Sequence, residues 1–167
     1  MSGDEGVAKH VTARVVKRRL PPAVYDAAFK FAFVRNRWDR LVSRYAYFLC
    51  SENHHRHRFV KRVKGFEEYL DWEIHRGKML LCRYVTDGRG ELITDFLGYF
   101  ERLHEDSPKV CVRLGIQAEL PHVNTFKHGD YRAHYTPATR ELVPQHFRRD
   151  LELFGYEFDG LADVGRW

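Results

Sequence analysis

Apolar positions along the chain fall into helical spacing over several stretches and strand spacing over one. From His10 to Leu20, Val11, Val15, Val16 and Leu20 fit a helix that ends before Pro21-Pro22. Phe29-Lys-Phe-Ala-Phe-Val34 passes from alternating to continuous apolar character and predicts a buried strand. A helix should follow at once, with Asn36 as N-cap, Asp39 in the first turn, and Leu41, Val42, Tyr45 and Leu49 on one face. The basic, His-rich residues 51–64 read as a surface loop or solvated helix, and a second amphipathic helix begins at Gly65-Phe66. Residues 79–97 read as two short strands around the turn Asp87-Gly88-Arg89-Gly90. Helix returns from about Glu101 to Leu114 and stops at Gly115, and residues 116–130 are loop-like. A last long helix is capped at Thr136-Pro137, carries Leu142, Val143, Phe147, Leu151 and Phe154, ends at Gly155, and should kink at Pro144 in its first half. The pattern is that of one α/β domain. Only residues 29–34 look like a central parallel strand, so either short strands elsewhere supply partners or an element is missing.

Composition narrows the classes. The 167 residues are 44% hydrophobic and 14% aromatic, which excludes a disordered or fibrous chain. Apolar runs such as Phe29 to Val34 are far too short to span a membrane, and no signal peptide is visible. Cys50, Cys82 and Cys111 are odd in number and widely spaced, unlike a disulfide framework. The expectation is a soluble, reduced, cytoplasmic protein. The 28 basic and 23 acidic residues leave a net charge of +5, which favours an anionic ligand without choosing among nucleotide, nucleic acid and sulfated sugar.

The strongest local signal is Phe31-Ala-Phe-Val-Arg-Asn-Arg-Trp-Asp-Arg-Leu-Val-Ser-Arg-Tyr45. A strand would deliver Arg35 at its carboxyl end, directly before a helix N-terminus. Ligands of open α/β sheets bind outside such strand ends, and helix N-termini attract anions. Arg35 there, with the Ser43 hydroxyl one to two turns on, makes a phosphate site; the alternative is that Arg35 only pairs with a carboxylate and Ser43 caps nothing. Cys50, His54, His55 and His57 invite a zinc reading, yet no second cluster closes a tetrahedral site and the neighbours are basic, so no metal is assigned. Trp38, Tyr45, Tyr47 and Phe48 read as core, and Glu101 as an anchor at a strand-to-helix junction.

The string VRNRWDRLVSRY resembles the VRNPWDRLVSxY signature of the carbohydrate-type sulfotransferases. The resemblance extends to His10-Val-Thr-Ala13, which is similar to the family's HxTA element, and to Asp95-Phe-Leu-Gly-Tyr-Phe-Glu-Arg-Leu103 with Asp106, similar to DFxGRFExL…D. Leu120-Pro-His-Val-Asn124, Tyr131 to Tyr135, and Phe147 to Phe158 follow in the family's order. It implies a P-loop-kinase-like, three-layer fold with a parallel sheet, and sulfuryl transfer from 3′-phosphoadenosine-5′-phosphosulfate to a hydroxyl of a carbohydrate-like acceptor, without metal. Arg35 and Ser43 would hold the donor's 3′-phosphate. His10 is similar in approximate position to a histidine of heparan sulfate 2-O-sulfotransferases and is the candidate base, a surface histidine being the alternative. Asn124 and Lys127, after LPH, would reach donor or acceptor, or are simply loop polarity.

Arg37 replaces the family's proline and would add charge near the phosphate; Tyr99 replaces the Arg of GRFE; Phe126 stands where many members have serine. The family's opening strand and PKxGGTS-like loop have no counterpart in residues 1–9. The expectation is therefore a frayed start over 1–9, a sulfotransferase domain over 10–158 lacking its N-terminal strand and P-loop, and a tail over 159–167. Such a chain is expected to turn over slowly or not at all. The contrasting expectations are a basic binding module using residues 54–64 on nucleic acid or polyanionic glycan, and a nucleotide-binding pseudoenzyme. On the transferase reading no nucleic-acid partner is expected, and no oligomeric state is implied.

Overall fold

The computed structural model describes residues 11–76, 80–118 and 129–162. In chain order the elements are α1 (Ala13–Arg19), α2 (Pro22–Ala27), β1 (Phe31–Val34), α3 (Arg37–Cys50), α4 (His57–Val60), α5 (Phe66–His75), α6 (Cys82–Val85), β2 (Phe96–Tyr99), α7 (Leu103–Leu114), α8 (Pro137–Phe154), β3 (Tyr156–Glu157) and β4 (Gly160–Leu161). Single 3-10 turns cover Phe100–Arg102 and Tyr131–His134. These gather into two units, one from residues 11–34 with 80–117 and the other from 35–76 with 118 and 129–162.

In the first unit β1 and β2 run parallel, with Phe31, Ala32, Phe33 and Val34 opposite Phe96, Leu97, Gly98 and Tyr99. The architecture is thus mixed α/β, and the strand that looked solitary in the sequence finds its partner in the Asp95-Phe-Leu-Gly-Tyr segment. The pairing is fixed at its start by Lys30 and Asp95: the Asp95 carboxylate accepts the Lys30 N–H at 2.7 Å, while the Asp95 and Phe96 N–H groups donate to the Lys30 carbonyl at 2.7 and 3.1 Å. At Gly98 the absent side chain admits the Phe33 ring, since a Cβ there would lie 2.4 Å from a ring carbon.

Three expectations change in this unit. Pro22 does not merely end α1 but opens α2 as its first residue, where its fixed φ suits a helix start. β1 is not a buried strand: Val34 is buried but Phe31 is 43% exposed. Its aromatic run instead packs upon itself, with Phe29–Phe31, Phe31–Phe33 and Phe33–Phe96 centroids 5.7, 6.4 and 6.4 Å apart. Where a strand was expected before Asp87, residues 82–85 form α6, because Cys82 and Val85 are buried three apart, a helical spacing. The turn itself forms as expected, with the Asp87 carboxylate accepting N–H bonds from Arg89, Gly90 and Glu91 at 2.8, 2.9 and 3.0 Å.

The second unit is helical apart from the β3–β4 hairpin. Its core takes Trp38, Leu41, Val42 and Phe48 from α3, Tyr69, Leu70 and Ile74 from α5, and Val143, Phe147, Leu151 and Phe154 from α8. Residues 51–64 are not wholly solvated: His57 and Val60 of α4 are buried, and His57 Nδ1 lies 2.9 Å from the Phe48 carbonyl. α8 opens with a reciprocal cap between Thr136 and Thr139 and ends at Gly155 with φ 66°. Its irregularity falls one turn after Pro144, at Phe147 (φ −122°, ψ 21°), rather than in the first half. Pro144 has no N–H to give the Arg140 carbonyl, and that carbonyl instead accepts the Trp38 indole N–H at 3.1 Å.

Candidate functional site

Asn36, Arg35, Asp39 and Ser43 lie at the opening of α3. The Asn36 side chain accepts the N–H groups of Trp38 and Asp39 at 2.9 and 3.3 Å, which is why the helix begins here. Arg35, Asp39 and Ser43 recur at four-residue spacing, so they share one side of the chain's path into the helix. The Arg35 guanidinium donates from Nε to Asp39 Oδ2 at 2.6 Å and from Nη1 to Ser43 Oγ at 3.1 Å. The two residues expected to bind a phosphate are thus brought together, and Arg35 pairs with a carboxylate besides. Asn36 is the N-cap expected from the sequence, and it occupies two of the N–H groups at the N-terminus of α3.

The neighbouring motif residues mostly hold the second unit together. Arg37, expected to add charge near the phosphate, is turned inward: it is 4% exposed, its Nη2 pairs with Asp150 Oδ2 of α8, and its guanidinium lies 4.1 Å from the Phe147 ring centroid. A residue in place of proline at the first helical position can turn inward here because the 147–150 segment supplies both an aromatic face and a counter-charge. Asn36 Nδ2 donates to the Glu157 carbonyl at 2.9 Å, and the Tyr135 hydroxyl donates to the Trp38 carbonyl at 3.0 Å. Burial, then the negative charge of neighbours including Tyr69 and Asp39, raises the Tyr135 pKa, keeping that donor protonated. Phe158 receives Trp38 and Tyr135 edge-on at 5.6 and 5.7 Å, and its carbonyl accepts the Tyr131 hydroxyl.

No family model matches the chain, and no solved structure matches it. A protein of Archaeoglobus fulgidus, described as an uncharacterized protein, is 31% identical over 123 residues, covering 72% of this chain and 96% of that one. The chain belongs to that protein's family. His10, Asn124 and Lys127 lie outside the described residues. Glu101 sits exposed in the 3-10 turn after β2. Trp38 and Phe48 are core, whereas Tyr47 is 36% exposed. Cys50 is exposed, His54 stacks on Phe48 at 4.5 Å and His57 is turned to a backbone carbonyl. Tyr99 gives its N–H to the Asp106 carboxylate at 2.9 Å, so Asp106 of the DFxGRFExL…D element joins β2 to α7.

A charged cluster was missed from the sequence. Glu73 of α5, 1% exposed at its side chain, meets Arg44 at 3.0 Å, Arg76 at 2.9 Å and Arg56 at 4.0 Å. The Glu73–Arg76 spacing was readable as a helical pair. Arg44 and Arg56 reach it only through the packing of α3 and the 51–56 loop on α5.

Proposed function

We propose that the chain is a sulfotransferase-type protein that recognises the 3′-phosphate of 3′-phosphoadenosine-5′-phosphosulfate at Arg35 and Ser43, for sulfuryl transfer to a hydroxyl of a carbohydrate-like acceptor in a P-loop-kinase-like fold. The observation that carries this reading is the Arg35 Nη1–Ser43 Oγ bond of 3.1 Å, which puts a guanidinium and a hydroxyl side by side at the start of α3. A phosphate there would meet two donors of the kind that bind oxyanions well. Asp39 holds Nε at 2.6 Å and so fixes the guanidinium's orientation, at the cost of one of its donors. A guanidinium and a hydroxyl side by side support a 3′-phosphate at this place.

When bound, the donor supplies a sulfuryl group whose bond to the 5′-phosphate breaks as the acceptor oxygen joins sulfur, releasing adenosine 3′,5′-bisphosphate. The described residues bind and orient: Arg35 and Ser43 hold the nucleotide end, and Asn36 and Asp39 keep them in register with α3. His10 is the candidate to take the hydroxyl proton, and Lys127 a further donor contact, both by resemblance alone.

Calorimetric titration with adenosine 3′,5′-bisphosphate tests the reading. Arg35→Ala should raise Kd at least about tenfold and Ser43→Ala severalfold, since each removes a bond to a charged group. Adenosine 5′-monophosphate should bind more weakly and feel neither change. Equal affinity for the two nucleotides, or an Arg35→Ala protein that binds like the parent, would overturn it.

A further inference from the structure

The Glu73 cluster holds more positive charge than its one carboxylate neutralises. Arg76 is bidentate on Glu73, donating from Nε and Nη2 to its two oxygens at 2.9 Å each, and already balances its charge. A buried carboxylate with a bidentate partner needs no second or third cation, yet Arg44 and Arg56 are held beside it. Among the described residues the Arg56 guanidinium donates no hydrogen bond, and its contact with Glu73 is a 4.0 Å ion pair. It is nevertheless held in place, 5.3 Å from the Phe48 ring centroid and 5.6 Å from that of Trp72. Arg44 and Arg76 lie over the same two rings, at 5.5 and 4.9 Å. The three guanidiniums are thus anchored on aromatic faces, and 21–30% of each side chain remains exposed to solvent. The hydroxyl of Tyr69, fully buried beside them and without a hydrogen-bond partner, adds an unspent polar group to the same cluster.

Like charges are thus kept together against their repulsion, with one planar fork of donors preorganised and unused. That is the arrangement by which arginines recognise tetrahedral oxyanions. We propose that Arg44, Arg56 and Arg76 form a binding site for a phosphate or sulfate group, free or esterified, with Arg56 as principal donor. The site shares no residue with the Arg35–Ser43 pair and does not depend on the transferase reading.

The test follows the arginine Nε–Hε resonances of the 15N-labelled chain during titration with inorganic phosphate, inorganic sulfate and glucose 6-phosphate, at ionic strength fixed with chloride. Saturable shifts of the Arg76 signal, held by its bond to Glu73, are expected with at least one of these. Tighter binding of the ester than of either free ion would assign the site to a carried group, and the reverse order to the free ion. Arg56→Gln should raise Kd at least about tenfold, and Arg56→Lys, which keeps charge and stem, at least about threefold. Arg148→Gln, an exposed charge on α8, should change nothing, and Arg35→Ala should leave this titration intact while weakening adenosine 3′,5′-bisphosphate. Shifts that rise linearly without saturating for all three probes, or a Kd that both Arg56 variants preserve, would overturn the proposal.

Discussion

Arg37 and Asp150 form an ion pair with almost no access to water, side chains 5% and 2% exposed. Two charges taken that far from solvent are worth little as a pair but costly to separate. Arg37→Ala should therefore lose about 3–5 kcal/mol of stability in denaturant unfolding. The double replacement Arg37→Met with Asp150→Leu should recover most of that loss, because it removes both desolvation costs together. A single variant as stable as the parent would show that the pair is not buried in solution. Asp106 offers a titratable case: burial pushes its carboxyl up, but the Lys109 ammonium at 2.6 Å and the Tyr99 N–H at 2.9 Å outweigh it and hold the pKa below the ordinary aspartate value. A carboxyl depressed on folding stabilises fully above its unfolded pKa and loses that contribution as pH falls through the folded value. The unfolding midpoint of the parent should thus drop more steeply below about pH 4 than that of Asp106→Asn, and parallel curves would refute it. Neither role was legible in the sequence. Arg37 read as added charge near a phosphate because nothing local announces a counter-ion more than a hundred residues away; Asp106 stood out only as part of a resemblance. Arg35 and Ser43, by contrast, were legible together, since helical spacing alone brings them to one side.

Elements whose ends are written in local chemistry were readable. Asn36 and Thr136 cap α3 and α8, and Gly115 and Gly155 end α7 and α8 with φ 66° each. Such signals act within a turn and need no tertiary partner. The misreadings fall where tertiary contact decides. A short apolar run of four residues fits a strand or one helical turn equally well, and burial of Cys82 and Val85 made residues 82–85 a turn of helix. The exposure of β1 was also invisible, because an apolar strand in a two-stranded pair can cover itself with its own aromatic rings. At Gly98 the two scales meet: the parallel register sets it opposite Phe33, and the ring occupies the space a Cβ would need. Gly98→Ala should cost about 1–3 kcal/mol through forced displacement of that ring. Combining it with Phe33→Leu should cost less than the two changes summed, because the smaller side chain gives way. Strict additivity in thermal or denaturant unfolding would mean that the glycine is there for backbone reasons instead.

At the scale of the whole molecule the question is what the excess of 28 basic over 23 acidic residues serves. Among the described residues no helix is long and apolar enough to cross a membrane. Arg58, Lys61, Arg62 and Lys64 are exposed around α4, while Arg35, Arg37, Arg44, Arg56 and Arg76 are tied into carboxylates or aromatic faces. Exposed charges act through long-range attraction that salt screens, whereas anchored guanidiniums act through directed bonds that salt weakens less. The transferase reading needs only the second kind for the nucleotide. Replacing Lys61, Arg62 and Lys64 together by Gln should therefore leave adenosine 3′,5′-bisphosphate affinity within about twofold at 0.15 M salt, where the screening length is about 8 Å. A nucleic-acid binding module would behave differently. Each phosphate contact on a single strand contributes about 0.7 to the slope of log K against log salt, so losing three cations would flatten that slope by about 2. Titrating single-stranded DNA from low to high salt against parent and triple variant separates the cases. Weak binding with a slope the triple variant does not alter is the expected result. A steep slope that collapses in the triple variant and survives Arg35→Ala would move the function from α3 to the α4 surface.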